Sequence, residues 1–404
     1  MKSVVVLGDG MADYPVPELG GKTPLMAAAK PAMDWIAKNG RTGLFRTIGD
    51  GMSTGSAVAN LSVLGYDPRT DYRGRGVLEA ASLGLDVRET DLVFRVNLIT
   101  IADGKIASHS SGHISNEEAG VLIGDLSGPI GRIGIRLHQG LSYRHIGIMP
   151  NGDERLACTE PHDHIGERAL DRMVRPLHPE AAQTADFLNR MILESQRLLK
   201  NHPVNQKRAA SGKQTADSLW PWSPGRKPSM QSFESKFGVR GAVISAVDLI
   251  KGIAVYAGMD VVHVDGATGL YDTNYEGKAD ACLDALRTHD FVYVHVEAAD
   301  EAGHDRDLKL KIKCIEDLDL RCIRRILDGI KKQNREAVVA VLPDHPTPVT
   351  LGSHVEDPIP VAIWDSRFPP DGVDRFDEES VKSGGLGLME GKAFIETALG
   401  RRSR

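Results

Sequence analysis

At 404 residues the chain exceeds the ~250 to 300 residues at which a single core stops growing, so two domains are the default expectation. Lys and Arg number 49 against 55 Asp and Glu, with no basic block long enough to follow a nucleic-acid backbone, which argues against DNA, RNA and membrane surfaces as primary partners. Four scattered cysteines, Cys158, Cys282, Cys314 and Cys322, lack paired spacing; this disfavours a disulfide framework or a cysteine zinc site and fits a reducing cytoplasm.

The opening MKSVVVLGDG passes from a short β-branched strand, Ser3 to Leu7, into a Gly8-Asp9-Gly10 turn, without the apolar core and cleavage site of a secretory signal. No apolar stretch approaches the ~18 residues of a membrane helix. Strand-like runs recur at Val243 to Ile253, Val261 to Val264, Phe291 to Glu297, Ala337 to Leu342 and Pro360 to Trp364, several separated by helical patterns at Tyr275 to Leu286 and Lys309 to Ile330. That alternation predicts an α/β fold with a mainly parallel sheet flanked by helices. The middle reads differently. It has short strands at Leu92 to Ile101 and His145 to Met149, an amphipathic helix at Pro179 to Lys200, and a Pro-, Gly-, Ser- and Lys-rich stretch, Lys213 to Ser229, expected to be loop. The expectation is a discontinuous core domain, 1–86 with 236–404, and a smaller α/β domain, 87–235, inserted in it.

Open α/β sheets place ligands in loops beyond the C-terminal ends of their strands. Asp9 has that address after the first strand, although an Asp between glycines is also a common turn former. Asp300 and His304 stand four apart in EAADEAGHD, directly after a strand. In one helical turn they share a face and suit a divalent metal, while the same spacing also occurs in exposed helical pairs. Asp344 and His345 are adjacent between Pro343 and Pro346, and His354 follows in GSHVEDPIP before another strand. Each is ordinary alone; their coincidence at one predicted sheet edge points to one site. The nucleophile for such a site is Ser56 in MSTGSAVANLSVLG, where Gly55 suggests a close turn and Ala57 to Leu64 a helix whose N-terminal amides face phosphate oxygens. Ser53, Thr54 or Ser56 as a simple N-cap is compatible with that role.

The order Asp, Ser, Asp-x-x-x-His, Asp-His, His resembles the alkaline phosphatase superfamily. The stretches GDGMAD, TGSAVANLSVLGYDP, HSSGHISNEEA, ESKFGVRGAVISAVDLIKGIAVYAGM, GATGLYDTNYEGKA, FVYVHVEAADEAGHD and LPDHPTP with SHVEDPIPVAIW are similar to archaeal-type, bisphosphoglycerate-independent phosphoglycerate mutases. The resemblance implies an alkaline-phosphatase-like core and two divalent metal ions, Mn2+ foremost with Mg2+, Zn2+ or Co2+ as alternatives, and no bisphosphoglycerate. Asp300, His304 and His354 would hold one ion; Asp9, Ser56, Asp344 and His345 would hold the other. It also implies a phosphoserine route between 3-phosphoglycerate and 2-phosphoglycerate. Where the family has Asp and Thr after its serine, Ala57 and Val58 stand here.

A mutase must keep water from its phosphoserine, so the insert is expected to close over the core and to supply substrate contacts. The candidates are His113, Arg144, His162, Asp163, Arg208 and Lys213, each also readable as a solvated surface residue; Lys278 reads as a helical surface lysine. Within the same chemistry the rivals are a phosphatase, a phosphopentomutase or a homoserine kinase, the last because SLWPWSPGRKPS is similar to a stretch in proposed kinases. No GxxxxGK[ST] nucleotide loop is present. A non-catalytic metal-binding relative is the rival from another class, and the complete ligand set speaks against it.

Overall fold

Lys2–Gly8 is the fourth strand of an eight-stranded sheet in the first of two compact units, Met1–Tyr72 with Met230–Arg404. The structure, a computed structural model, describes residues 1–333 and 336–401. The strand order is Asp260–Val261, Gly241–Ile244, Phe291–Val296, Lys2–Gly8, Ala337–Leu342, Ile359–Asp365, Arg41–Phe45 and Gly387–Met389. Every pairing is parallel except the two made by Ile359–Asp365, which runs against both neighbours. Helices cover the sheet, so its central strands are buried along their length and read as unbroken apolar runs rather than alternating ones. The fold class is the expected one, a mainly parallel α/β sheet with a second α/β unit.

Local expectations change, and the strand expected at Val261 to Val264 is the shorter Asp260–Val261. The run Val243 to Ile253 is not one strand: it splits into Gly241–Ile244 and a helix, Asp248–Tyr256. Leu249, Ile250, Ile253 and Ala254 fall on one buried helical face, a 3.6-residue spacing that apolar composition alone conceals. Lys309 to Ile330 is a helix Leu308–Asp317, a π-helical turn Leu318–Ile323 and a helix beginning at Arg324.

The second unit, Arg73–Ser229, has its own sheet centred on Leu92–Ala102, its own core, and the helices Asn116–Gly131 and Ala182–Leu199. The expected loop Lys213 to Ser229 contains a strand, Ser218–Gly225, antiparallel to Leu92–Ala102. Pro221 and Pro224 hid it; they are tolerated because among the described residues this strand pairs on one side only, so the missing N–H groups cost no ladder bond. Trp220 and Trp222 are buried there, and their indole N–H groups donate to Thr159 O and Asn97 Oδ1.

The units divide at 72/73 and 229/230 rather than at 86/87 and 235/236. Helix Arg75–Ser82 belongs to the second unit because Gly76 lies against the Phe94–Arg95 backbone, where a Cβ would stand 2.9 Å from Phe94 Cα. Phe233 belongs to the first, stacked on Phe291 with ring centroids 4.9 Å apart.

Candidate active site

Five strand ends bring the first unit's polar residues to one edge of the sheet. Lys2–Gly8 leads into Asp9; Phe291–Val296 leads into helix Ala298–His304, carrying Asp300 and His304; Ala337–Leu342 leads into Asp344 and His345. Because Ile359–Asp365 runs the opposite way, the segment before it lies at this edge, which is how His354 joins. After Arg41–Phe45, a loop leads to Ser56, the first residue of helix Ser56–Val63. Gly55 is extended, with φ 173°, and a Cβ there would meet open space, so it makes no glycine-dependent turn. The required glycine is Gly10: its φ is +60°, and a Cβ would stand 2.4 Å from Asp300 Oδ1.

His304 Nε2 lies 3.2 Å from Asp300 Oδ2, His354 Nε2 lies 3.3 Å from Asp300 Oδ1, and the two Nε2 atoms face each other at 2.9 Å. The other nitrogen of His304 is 3.0 Å from Gly352 O, and Thr347 Oγ1 donates to Asp300. Burial works against the charge on Asp300, yet the hydrogen bonds to His304 and His354 and the nearby His345 hold its carboxyl well below the usual range. The Asp300 hydrogen bond raises His304 to about 9.

Beside this trio, Ser56 Oγ lies 3.5 Å from Asp9 Oδ2 and 3.3 Å from His345 Nε2. His345 Nε2 is also 3.6 Å from Asp9 Oδ1 and 3.4 Å from Asp344 Oδ2. Burial lowers the His345 pKa, keeping the imidazole neutral with a lone pair to offer. Burial, then the Asp344, Asp300 and Glu297 carboxylates, pushes Asp9 well above the carboxylate range. Its Oδ1 is buried without a hydrogen bond among the described residues. Three buried carboxylates facing imidazoles, one oxygen left orphaned, form a donor set that fits divalent cations. The ligand atoms of Asp300, His304 and His354 lie within 4.8 Å of one another, as do those of Asp9, Asp300 and His345.

Several residues that hold this cluster escaped the sequence reading. Asn60, one helical turn after Ser56, donates to Ser56 O at 2.8 Å and Asp344 Oδ2 at 2.9 Å, and accepts from Tyr293 at 2.5 Å. Asp344 also accepts the N–H groups of Gly10 and His345 at Oδ1. Lys311, fully buried, donates to Asp13, Ala12 O and Thr347 O, tying the loop after the first strand to the loop carrying Asp344. His295 Nε2 is 3.0 Å from Asp9 Oδ2, and burial drops its pKa to about 4. Lys278 is not a surface lysine: it is 1% exposed, donates to His295 O at 3.0 Å, and is pushed down to about 8 by burial. The sequence signal was a polar residue inside an otherwise apolar element, Asn60 in SAVANLSV and His295 in FVYVHV. Ala57 and Val58 are buried, Val58 in a small apolar cluster with Ile48 and Ala59. A cavity of about 590 Å³ beside Arg46, Asp67 and Glu390 contains none of the seven candidate residues.

In the second unit, exposed His113 and partly buried Arg144 flank Tyr143, with His113's ring 6.2 Å from it and Arg144's guanidinium 5.6 Å. Exposed His162 lies 3.7 Å from Asp163, with its ring 6.0 Å from His109 and 5.5 Å from Trp222. His109, also missed, is lowered by burial and then by the neighbouring His162 and His113. Arg208 does not fit the substrate-binding expectation. It is 2% exposed, pairs with Glu118 and donates to Gln214 O and Ser111 O, so its guanidinium braces the fold. Lys213 is exposed on the turn after helix Pro203–Ala210.

Residues 37–205 match the family model described as 2,3-bisphosphoglycerate-independent phosphoglycerate mutase. The chain is 48% identical over 397 residues to the enzyme of that name from Methanosarcina acetivorans, covering 98% of each. Among solved structures, a Pyrococcus horikoshii protein is similar with a TM-score of 0.84 and 32% identity, covering 100% of this chain and 98% of that one. The cofactor-independent phosphoglycerate mutase of Thermoplasma acidophilum is similar with a TM-score of 0.68 and 30% identity, over the whole of both chains.

Proposed function

The chain belongs to the 2,3-bisphosphoglycerate-independent phosphoglycerate mutase family, whose activity interconverts 3-phosphoglycerate and 2-phosphoglycerate, and from that premise we propose that Ser56 is the residue that carries the phosphoryl group. The observation that supports this most directly is the position of its hydroxyl, at a helix N-terminus between Asp9 and His345. We propose Asp300, His304 and His354 as ligands of one divalent ion and Asp9, Ser56, Asp344 and His345 as ligands of a second, with Mn2+ the favoured metal. When bound, such ions supply the positive charge that acidifies a serine hydroxyl and neutralises phosphate oxygens.

The chain's own groups do the rest. Ser56 Oγ gives up its proton and attacks phosphorus; the bond from phosphorus to the glycerate oxygen breaks, and that oxygen takes a proton. Glycerate then turns, its other hydroxyl gives up a proton and attacks the phosphoserine, the bond from phosphorus to Ser56 Oγ breaks, and Ser56 Oγ takes a proton back. The free N–H groups in the first turn of helix Ser56–Val63 face negative charge favourably, which suits them to the phosphate oxygens. Asn60 fixes the first turn to Asp344, so nucleophile and ligand move as one piece. For the glycerate carboxylate and hydroxyls we propose His113, Arg144, His162, Asp163 and Lys213, with His109 added and Arg208 withdrawn.

The test is an enolase-coupled assay on protein stripped with EDTA and reloaded with Mn2+, given 3-phosphoglycerate and no bisphosphoglycerate. Activity that depends on added metal and vanishes in Ser56→Ala supports the assignment. Full activity in Ser56→Ala would overturn it, and inorganic phosphate released in place of 2-phosphoglycerate would favour a phosphatase.

A further inference from the structure

His295 stands inside the strand Phe291–Val296, paired beside Leu7 and two residues short of the level of Asp9. It is fully buried, and a buried imidazole in a parallel strand needs partners for both nitrogens. Nδ1 lies 3.4 Å from Ser245 Oγ, and Nε2 lies 3.0 Å from Asp9 Oδ2. Ser245 Oγ accepts the Val247 N–H at 3.0 Å and keeps its hydroxyl proton to offer to Nδ1, while Asp9, ionised as a ligand, can only accept from Nε2. The ring proton therefore sits on Nε2 and points at Asp9. The carbonyl of the same residue accepts Lys278 Nζ at 3.0 Å, so backbone and side chain are both tied.

We infer that His295 is a positioning residue for the cation site: as an Nε2–H donor it holds Asp9 Oδ2, so that Oδ1, buried and free of hydrogen bonds among the described residues, is the oxygen presented to the metal. Tyr293, two residues earlier on the same face of the strand, does the equivalent through Asn60, whose amide holds Asp344 Oδ2. One strand thus orients two carboxylates with two neutral donors. The competing role for His295 is that of a ligand, since its nitrogen lies within 4.8 Å of oxygens of both Asp9 and Asp344. The tautomer argues against it, because the nitrogen nearest the carboxylates carries hydrogen.

The inference rests on the reading of Asp9 as a ligand, and the experiment separates the two. Mn2+ is titrated calorimetrically into metal-free wild-type protein and the variants Asp9→Asn, His295→Leu and His295→Gln. A glutamine amide nitrogen occupies nearly the place of Nε2 and keeps an N–H donor there, but it does not replace imidazole as a ligand. Expected are a strong loss of affinity in Asp9→Asn, a loss of roughly 10- to 100-fold in His295→Leu, and affinity within about threefold of wild type in His295→Gln. If His295→Leu does not fold in EDTA, as judged by thermal melting, His295→Asn takes its place, since its amide is too short to reach Asp9. Unchanged Mn2+ affinity in His295→Leu beside a weakened Asp9→Asn would overturn the positioning role alone. His295→Gln as weak as His295→Leu would overturn it in favour of a ligand. Wild-type affinity in Asp9→Asn would overturn the reading of Asp9 itself.

Discussion

The Nε2 atoms of His304 and His354 face each other at 2.9 Å, each also within 3.3 Å of an Asp300 oxygen. Two imidazole nitrogens so close must share a proton or a cation. In metal-free protein the Asp300 hydrogen bond raises His304 from 6.5 to about 9, with burial opposing. A folded-state pKa above the unfolded value contributes stability that is complete below pH 6.5 and is lost as pH rises through about 9. The melting temperature in EDTA is therefore expected to fall across that window, and the fall to shrink in His304→Asn. A flat profile in the parent would contradict the pairing.

Gly10 and Gly55 both precede or follow candidate residues, yet their substitutions separate cleanly. Gly10→Ala places a Cβ against Asp300 and demands a left-handed backbone of a side-chain residue, so it is expected to displace Asp300 and lower metal affinity and turnover at least tenfold. Gly55→Ala meets open space in an extended segment and is expected to keep turnover within about threefold. The mutase assay on the two variants checks both.

Asn60→Leu removes the donor shared by Ser56 O and Asp344 and leaves the Tyr293 hydroxyl without its partner. With Asp344 and the first turn of the Ser56 helix no longer tied together, kcat is expected to fall roughly 10- to 100-fold, with KM for 3-phosphoglycerate little changed. A rise in KM alone would show that Asn60 serves substrate binding instead.

Lys311→Met strands Asp13 as a buried, unpaired carboxylate. Breaking such a pair on one side costs about 3–5 kcal/mol, which urea unfolding of the metal-free protein measures directly. Lys313→Met, two residues further on, where the exposed Lys313 pairs with the partly buried Asp317, is expected to change little.

The meeting of the seven candidate residues, Ser56 among them, at one sheet edge was legible because each lies beyond or before an apolar run, at the edge where an open α/β sheet gathers its loops. The parallel sheet was legible from runs too apolar to face water. The supporting residues were not, because they sit within the elements. His295 and Tyr293 lie inside a strand, and Lys311 inside a helix whose buried face looks no different in sequence from an exposed one. Ser218–Gly225 was hidden by prolines that only its one-sided pairing makes tolerable, and Arg208 by a charge that reads as substrate-binding until Glu118 is seen beside it. Long-range partners of this kind are set by tertiary packing, which local pattern does not encode.

The phosphoryl group is expected to rest on Ser56 between its two positions on glycerate. Mixing metal-loaded protein with 3-phosphoglycerate, quenching in acid within one turnover and mapping the phosphopeptide by mass spectrometry tests it directly. Phosphate is expected on the peptide containing Ser56, at that residue, and absent from a sample prepared without metal. Phosphate found on a histidine or another serine, or mutase turnover with no phosphorylated protein at any quench time, would contradict it.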